Sequence, residues 1–259
     1  MNNRQLTALM IRLALGFIYL SAGLSRLAPE YLGNIIGPVY LPEILKSDFI
    51  IFIWYSSAIY EVIVGSLILS QKYSPHGLLL VIPLSIALLI LTIFLGFGAT
   101  PIFNCFFTIF LIFALIQEKI PYKKILQGDS TALNRSKTPQ LYPAKQLSLL
   151  SLTLIILTIG LIFWQGYHLN ILASLAILGI TINLFQFRNY YKTDYFFIFL
   201  FFAIAMIALN GNIIKHTLNN FIYWQFGLIG FAMLLFLLRI GISRLIGTAG
   251  QKSRSKFYT

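Results

Sequence analysis

An all-α, polytopic membrane fold is what this sequence predicts, and three observations predict it. Hydrophobic residues make up 58% of the 259 and charged residues only 10%, whereas a soluble domain carries about 25% charged residues. Mean hydropathy is +0.84, so polar surface is too scarce to cover a water-facing domain of this size. The apolar residues gather into eight runs, near 6–26, 49–70, 77–96, 101–117, 146–165, 169–187, 194–211 and 221–240, and a helix needs about 20 apolar residues to cross a bilayer. The basic residues give the third observation. With eight spans, fifteen of the 19 Lys and Arg fall on the side of the two termini, three on the other, and Arg12 within a span. That bias places both termini in the cytoplasm.

The first run is long and holds an arginine. Without a small-residue cleavage site, it reads as a retained helix rather than a removed signal. Arg12, Gly16, Tyr19, Gly23 and Arg26 recur at steps of four, three, four and three, which places them on one stripe of a helix. Gly16 and Gly23 then allow a neighbouring backbone to come close. Residues 28–47 contain Pro29, Pro38 and Pro42 among Ile, Val, Tyr and Leu. The segment is apolar but too broken to span. It is expected to cap the outer mouth of the first four helices.

The second run carries a complementary stripe of Trp54, Ala58, Glu61 and Gly65, with Tyr60 beside it. A charge inside a bilayer costs several kcal/mol unless paired or hydrated, and so marks a candidate site. Arg12 lies ~9 Å and Glu61 ~15 Å from the cytoplasmic ends of their spans, an offset a guanidinium can bridge. Against that pairing, each side chain leans toward its own helix N-terminus, which here takes the two apart. Two readings stand: a direct Arg12–Glu61 pair, or a snorkelling arginine and a Glu61 protonated and hydrogen-bonded to Tyr or Ser. The polar candidates are Arg12, Tyr19, Arg26, Tyr60 and Glu61, and the close-packing ones are Gly16, Gly23 and Gly65.

The third and fourth runs close a four-helix unit over residues 1–117. Residues 118–145 form a basic, proline-containing linker suited to anionic headgroups or to a docked partner. A second four-helix unit follows over 146–246, then a basic cytoplasmic tail over 247–259. The net charge of +12 is absorbed by the positive-inside bias and does not point to nucleic acid.

Arg12-x3-Gly16-x6-Gly23-x2-Arg26, a proline-containing loop and then Glu61-x3-Gly65 resemble the DoxX family and its MauE-like relatives. The resemblance covers about residues 6–116. In that family lysine is commoner at the place of Arg26. The resemblance implies a four-helix bundle in the bacterial inner (cell) membrane, associated with redox systems. Members have been described as subunits of a thiosulfate:quinone oxidoreductase and as membrane partners of thioredoxin-like proteins during maturation of periplasmic enzymes. The expected function is an accessory membrane subunit, not catalytic alone, linked to a redox or envelope process. It would have a partner subunit and a quinone- or lipid-like pocket. The alternatives are a small-molecule or lipid transporter using an Arg12/Glu61 stripe, and a structural scaffold of a larger complex.

The MauE-like branch often has a cysteine pair near the outer ends of its later helices. This chain has Cys105 alone, so a dithiol relay within it is excluded, and Cys105 is expected to be a small buried apolar residue. His76, His168 and His216 show no ligand spacing, and no metal site is expected. Asn183, Gln186 and Asn210 stand near span ends, where they should cap or bridge helices. No phosphate loop, nucleophile elbow or haem-attachment motif is present.

Overall fold

The computed structural model describes residues 3–35, 47–71, 73–94, 96, 98, 100–118, 155–160, 164, 166–185, 192–215, 218 and 220–255. Among them every regular element is a helix. In chain order these are α1 (Asn3–Leu27), α2 (Asp48–Leu69), α3 (Ser74–Phe94), α4 (Thr100–Glu118), α5 (His168–Phe185), α6 (Lys192–Leu209), the single turn α7 (Gly211–Ile214) and α8 (Phe221–Ser255). Residues 155–160 are also helical. The linker 119–145 and the start of the fifth apolar run lie outside the described residues.

Among the described residues, five helices are long and apolar enough to cross a membrane: α1, α2, α3, α5 and residues 223–241 of α8, while α4 and α6 are shorter apolar helices. Their outward surfaces are apolar too. Ile90, Ile93, Phe94, Ile102, Ile109 and Ile116 are all exposed, the pattern of helices solvated by hydrocarbon. With its 35 residues, α8 is ~52 Å long at 1.5 Å per residue. It therefore outruns the expected span of 221–240 and carries the helix through much of the basic tail.

Local sequence sets the helix ends. Ser47 caps α2 through its Oγ, which accepts from the Ile50 N–H at 3.4 Å, and Asp48 adds a negative charge to the first turn, where the helix dipole favours it. Between α3 and α4, Gly96 and Gly98 take φ of +65° and +53°, a left-handed conformation that glycine adopts without a Cβ penalty. Pro83 sits inside α3, tolerated because neighbouring helices can satisfy a disturbed backbone. Tyr60 of α2 supplies one such contact, its hydroxyl donating to the Leu80 carbonyl at 2.9 Å.

The most buried helix is α1, and it serves two cores. Leu15 and Tyr19 pack with Val64, Ile68, Leu78 and Val81 of α2 and α3, and with Leu111 of α4. From another face, Leu9, Leu13, Phe17 and Leu24 pack with Ala173 and Ile180 of α5 and with Ile198 and Phe202 of α6. The chain's two halves thus share their first helix.

Residues 28–35 depart from expectation. They dock on the second half of the chain: the Gly33 N–H donates to the Leu209 carbonyl at 2.7 Å. A Cβ on Gly33 would overlap the Ala208 carbonyl oxygen, so only glycine allows this approach. The rest of the proposed cap, 36–46, lies outside the described residues.

Candidate functional site

The antiparallel pair α1–α2 is held by glycines. A Cβ on Gly16 would sit 2.8 Å from Leu69 Cγ, one on Gly23 would overlap the Ala58 carbonyl, and one on Gly65 would lie 2.6 Å from the Gly16 carbonyl. These contacts fix the register: Gly16 faces Leu69, Leu20 faces Gly65 and Gly23 faces the Ala58–Val62 turn. The last turn of α1 is thereby brought level with the middle of α2. The residues from Asp48 to Ser57 run on beyond it, and Phe49 and Phe52 there are strongly exposed.

This register decides Glu61's partner. Glu61 forms an ion pair with Arg26, and both side chains are buried, at 3% and 6% exposure. Arg12 is not the partner. It sits twelve residues down α1 from the level of Glu61, ~18 Å along the axis, and is itself buried. Span ends read from hydropathy put Arg12 and Glu61 at similar depths, but α1 and α2 are staggered and their ends do not match. Side-chain lean favours the observed pair. Arg26 leans toward the N-terminus of α1 and Glu61 toward that of α2; in antiparallel helices at this register, the two converge.

Three groups hold the guanidinium. Besides Glu61, Arg26 donates through Nη1 to Ser57 Oγ at 3.0 Å, and its Cζ lies 4.8 Å from the centroid of the Trp54 ring. The aromatic face attracts the cation. Ser57 is itself oriented by donating to the Trp54 carbonyl at 2.9 Å. Arg26 also stands in the last turn of α1, where the helix dipole favours a positive charge. The result is a neutral, hydrogen-bonded charge pair within a largely apolar bundle.

Tyr19 belongs to a different arrangement, a hydrogen-bonded run across α1, α3 and α4. Thr108 Oγ1 donates to the Asn104 carbonyl at 2.8 Å, which uses its only hydrogen. Ser85, 3.2 Å away, must then donate to Thr108, and Tyr19, 2.9 Å from Ser85, must donate to Ser85. The direction of the run is fixed by counting hydrogens. Further along, Asn104 Nδ2 donates to Thr92 Oγ1 at 3.1 Å.

The sequence reading missed two features. The first is a second ion pair, the partly exposed Arg239 of α8 with the buried Asp194 of α6, with Arg239 also donating to Asn3 Oδ1 at 3.2 Å. Its signal was available: an acid in the first turn of one helix and an arginine deep in the next antiparallel one lie at the same end. The second is a cluster of side-chain amides. Of the residues expected to bridge helices, Asn210 does so, donating to Ser174 Oγ at 3.1 Å and accepting from Asn170. Asn183 is buried, and Gln186 lies outside the described residues. Asn170, Asn212 and Gln225 carry more of the network and were not singled out.

Cys105 is exposed on α4, not buried as expected, because the α4 face that bears it points away from both cores. No group of three metal-binding side chains occurs among the described residues. No family model, curated protein or solved structure matches the chain.

Proposed function

We propose that the chain is an eight-span protein of a bacterial inner membrane with both termini cytoplasmic, acting as a non-catalytic accessory subunit of DoxX type. In this reading it serves a redox or envelope process, binds a partner subunit, and offers a quinone- or lipid-like group a place beside the Arg26–Glu61 pair. One observation carries the reading. Of the six residues on which the resemblance to that family rests, Gly16, Gly23, Arg26, Glu61 and Gly65 meet in the α1–α2 interface, while Arg12 stands away from the ion pair. The basic asymmetry supports the topology, since it persists when Arg26 and Arg239 are set aside as residues paired with carboxylates.

The structural-scaffold reading draws support from the near-complete burial of the pair, since a buried ion pair can fix helix register alone. The transporter reading loses the shared Arg12/Glu61 stripe on which it was built. The deciding experiment is native mass spectrometry of the protein released from membranes in mild detergent, with Glu61→Gln alongside. An accessory subunit retains a protein or lipid-soluble companion that Glu61→Gln releases while the chain stays folded. Retention that is equal in both proteins favours the scaffold. A chain that retains nothing overturns the accessory-subunit reading.

A further inference from the structure

A guanidinium in the last turn of a helix stands at that element's least stable place, because terminal turns lack part of their hydrogen bonding and open first. Arg26 is the penultimate residue of α1. Yet its pairing with Glu61 demands a fixed position, since one residue of unwinding would rotate the side chain off its partner. Something outside α1 and α2 must hold this end.

The chain just beyond Arg26 shows what does. Asn212 of α7 donates to the carbonyls of Pro29 and Leu32 at 2.6 and 3.0 Å. Asn170 of α5 donates to the Tyr31 carbonyl at 2.8 Å and is steadied by Asn210 Oδ1 at 3.1 Å. Gln225 of α8 donates to the carbonyls of Asn34 and Ile35 at 3.2 and 3.3 Å. Asn34 folds back to donate to Ser25 Oγ at 2.8 Å, next to Arg26 itself. Asn170, Asn212 and Gln225 are all nearly fully buried. Five carbonyls within seven residues thus receive amide N–H groups from three elements of the second half. Leu27, Ala28 and Leu32 are buried in the same core as Leu169, Ala208 and Leu209, which adds apolar contact to the polar one.

We infer that Asn170, Asn212 and Gln225 are positioning residues for the Arg26–Glu61 pair, and that the second half of the chain serves the site by anchoring the end of α1. The inference rests on the pair being the functional centre, as proposed above, but it is tested separately. Ligand or partner retention tests the functional reading; the geometry around Trp54 tests this one.

The test uses the full-length chain with Trp164→Phe and Trp224→Phe, both exposed positions, so that Trp54 is the remaining tryptophan. Its emission and its quenching by acrylamide report whether the guanidinium lies against the ring. Asn212→Ala and Gln225→Ala should shift both in the direction given by Arg26→Gln, while Asn183→Ala, on α5 but outside the network, should leave them unchanged. Emission and quenching unaltered in Asn212→Ala and Gln225→Ala would overturn the inference. A second measurement guards against a silent tryptophan. The fall in Tm caused by Asn212→Ala should shrink by about half or more when Arg26 and Glu61 are both already glutamine, because coupled sites are non-additive. Additive falls in Tm would overturn it equally. Rescue by Asn212→Gln, which restores the amide donors, is expected in part; a purely space-filling role would be rescued instead by Asn212→Leu, and that result also counts against the inference.

Discussion

Removing one member of the Arg26–Glu61 pair leaves the other charge stranded among apolar side chains, a loss of ~3–5 kcal/mol. Arg26→Gln and Glu61→Gln should each lower thermal stability in detergent by that order, and the double substitution should cost less than either alone. Arg12→Gln combined with Glu61→Gln should instead give additive losses, since Arg12 on α1 lies ~18 Å along the axis from the level of Glu61 on α2. A cycle in which Arg12 and not Arg26 couples to Glu61 would contradict the register described above. The hydroxyl run makes a second claim at the same scale. Tyr19 is a donor whose loss strands no hydrogen, so Tyr19→Phe should cost about 1 kcal/mol. Ser85→Ala also removes the acceptor of a buried phenol, and should cost about 1–3 kcal/mol more. Equal losses from the two substitutions would mean that the direction assigned to the run is wrong.

At the scale of the element, the α1–α2 contact rests on missing side chains. A methyl group on Gly23 meets the Ala58 carbonyl and Val62, so Gly23→Ala should destabilise by about 1–3 kcal/mol through overpacking. On α8, Gly227 and Gly230 have nothing within 4 Å. Alanine there should be neutral or stabilising by up to about 1 kcal/mol, from helix propensity alone. Thermal unfolding of the two sets checks the contrast. These helices show how far sequence reasoning reaches. The stripe from Gly16 to Arg26 was legible because helical periodicity places residues on faces without reference to any neighbour. So was the complementary stripe around Glu61. The partner of Glu61 was not legible, because pairing depends on the relative shift of two helices along their axes. Hydropathy gives each span's ends to within a few residues, and in a staggered pair even correct ends give the wrong depth. Docking of residues 28–35 on the second half was hidden for a related reason. The amides that bind it are separated from it by more than 130 residues, and neither periodicity nor composition links positions so distant. Residue type alone suggests a buried Cys105, but the direction of its helix face decides, and that face is exposed.

For the whole molecule, the proposed topology makes a direct prediction. Single cysteines introduced beside Lys123 and Lys256, in the exposed-thiol-free Cys105→Ser protein, should resist an impermeant maleimide added to intact cells, while one beside Lys46 should react. Labelling of the first two positions would reject eight spans with cytoplasmic termini. The Arg26–Glu61 pair also bears on how such a chain is made. Ribosomal synthesis delivers Arg26 well before Glu61, and Arg26 stands at a helix end, where its charge can stay hydrated. Glu61 is the costlier residue to partition, with α2 extending on both sides of it. When it leaves the translocon, its counter-charge is already waiting on the preceding helix, beside a groove of glycines. α2 is therefore a helix whose passage into lipid is licensed by its predecessor, and the order in which the chain is translated becomes part of how its charge is accommodated.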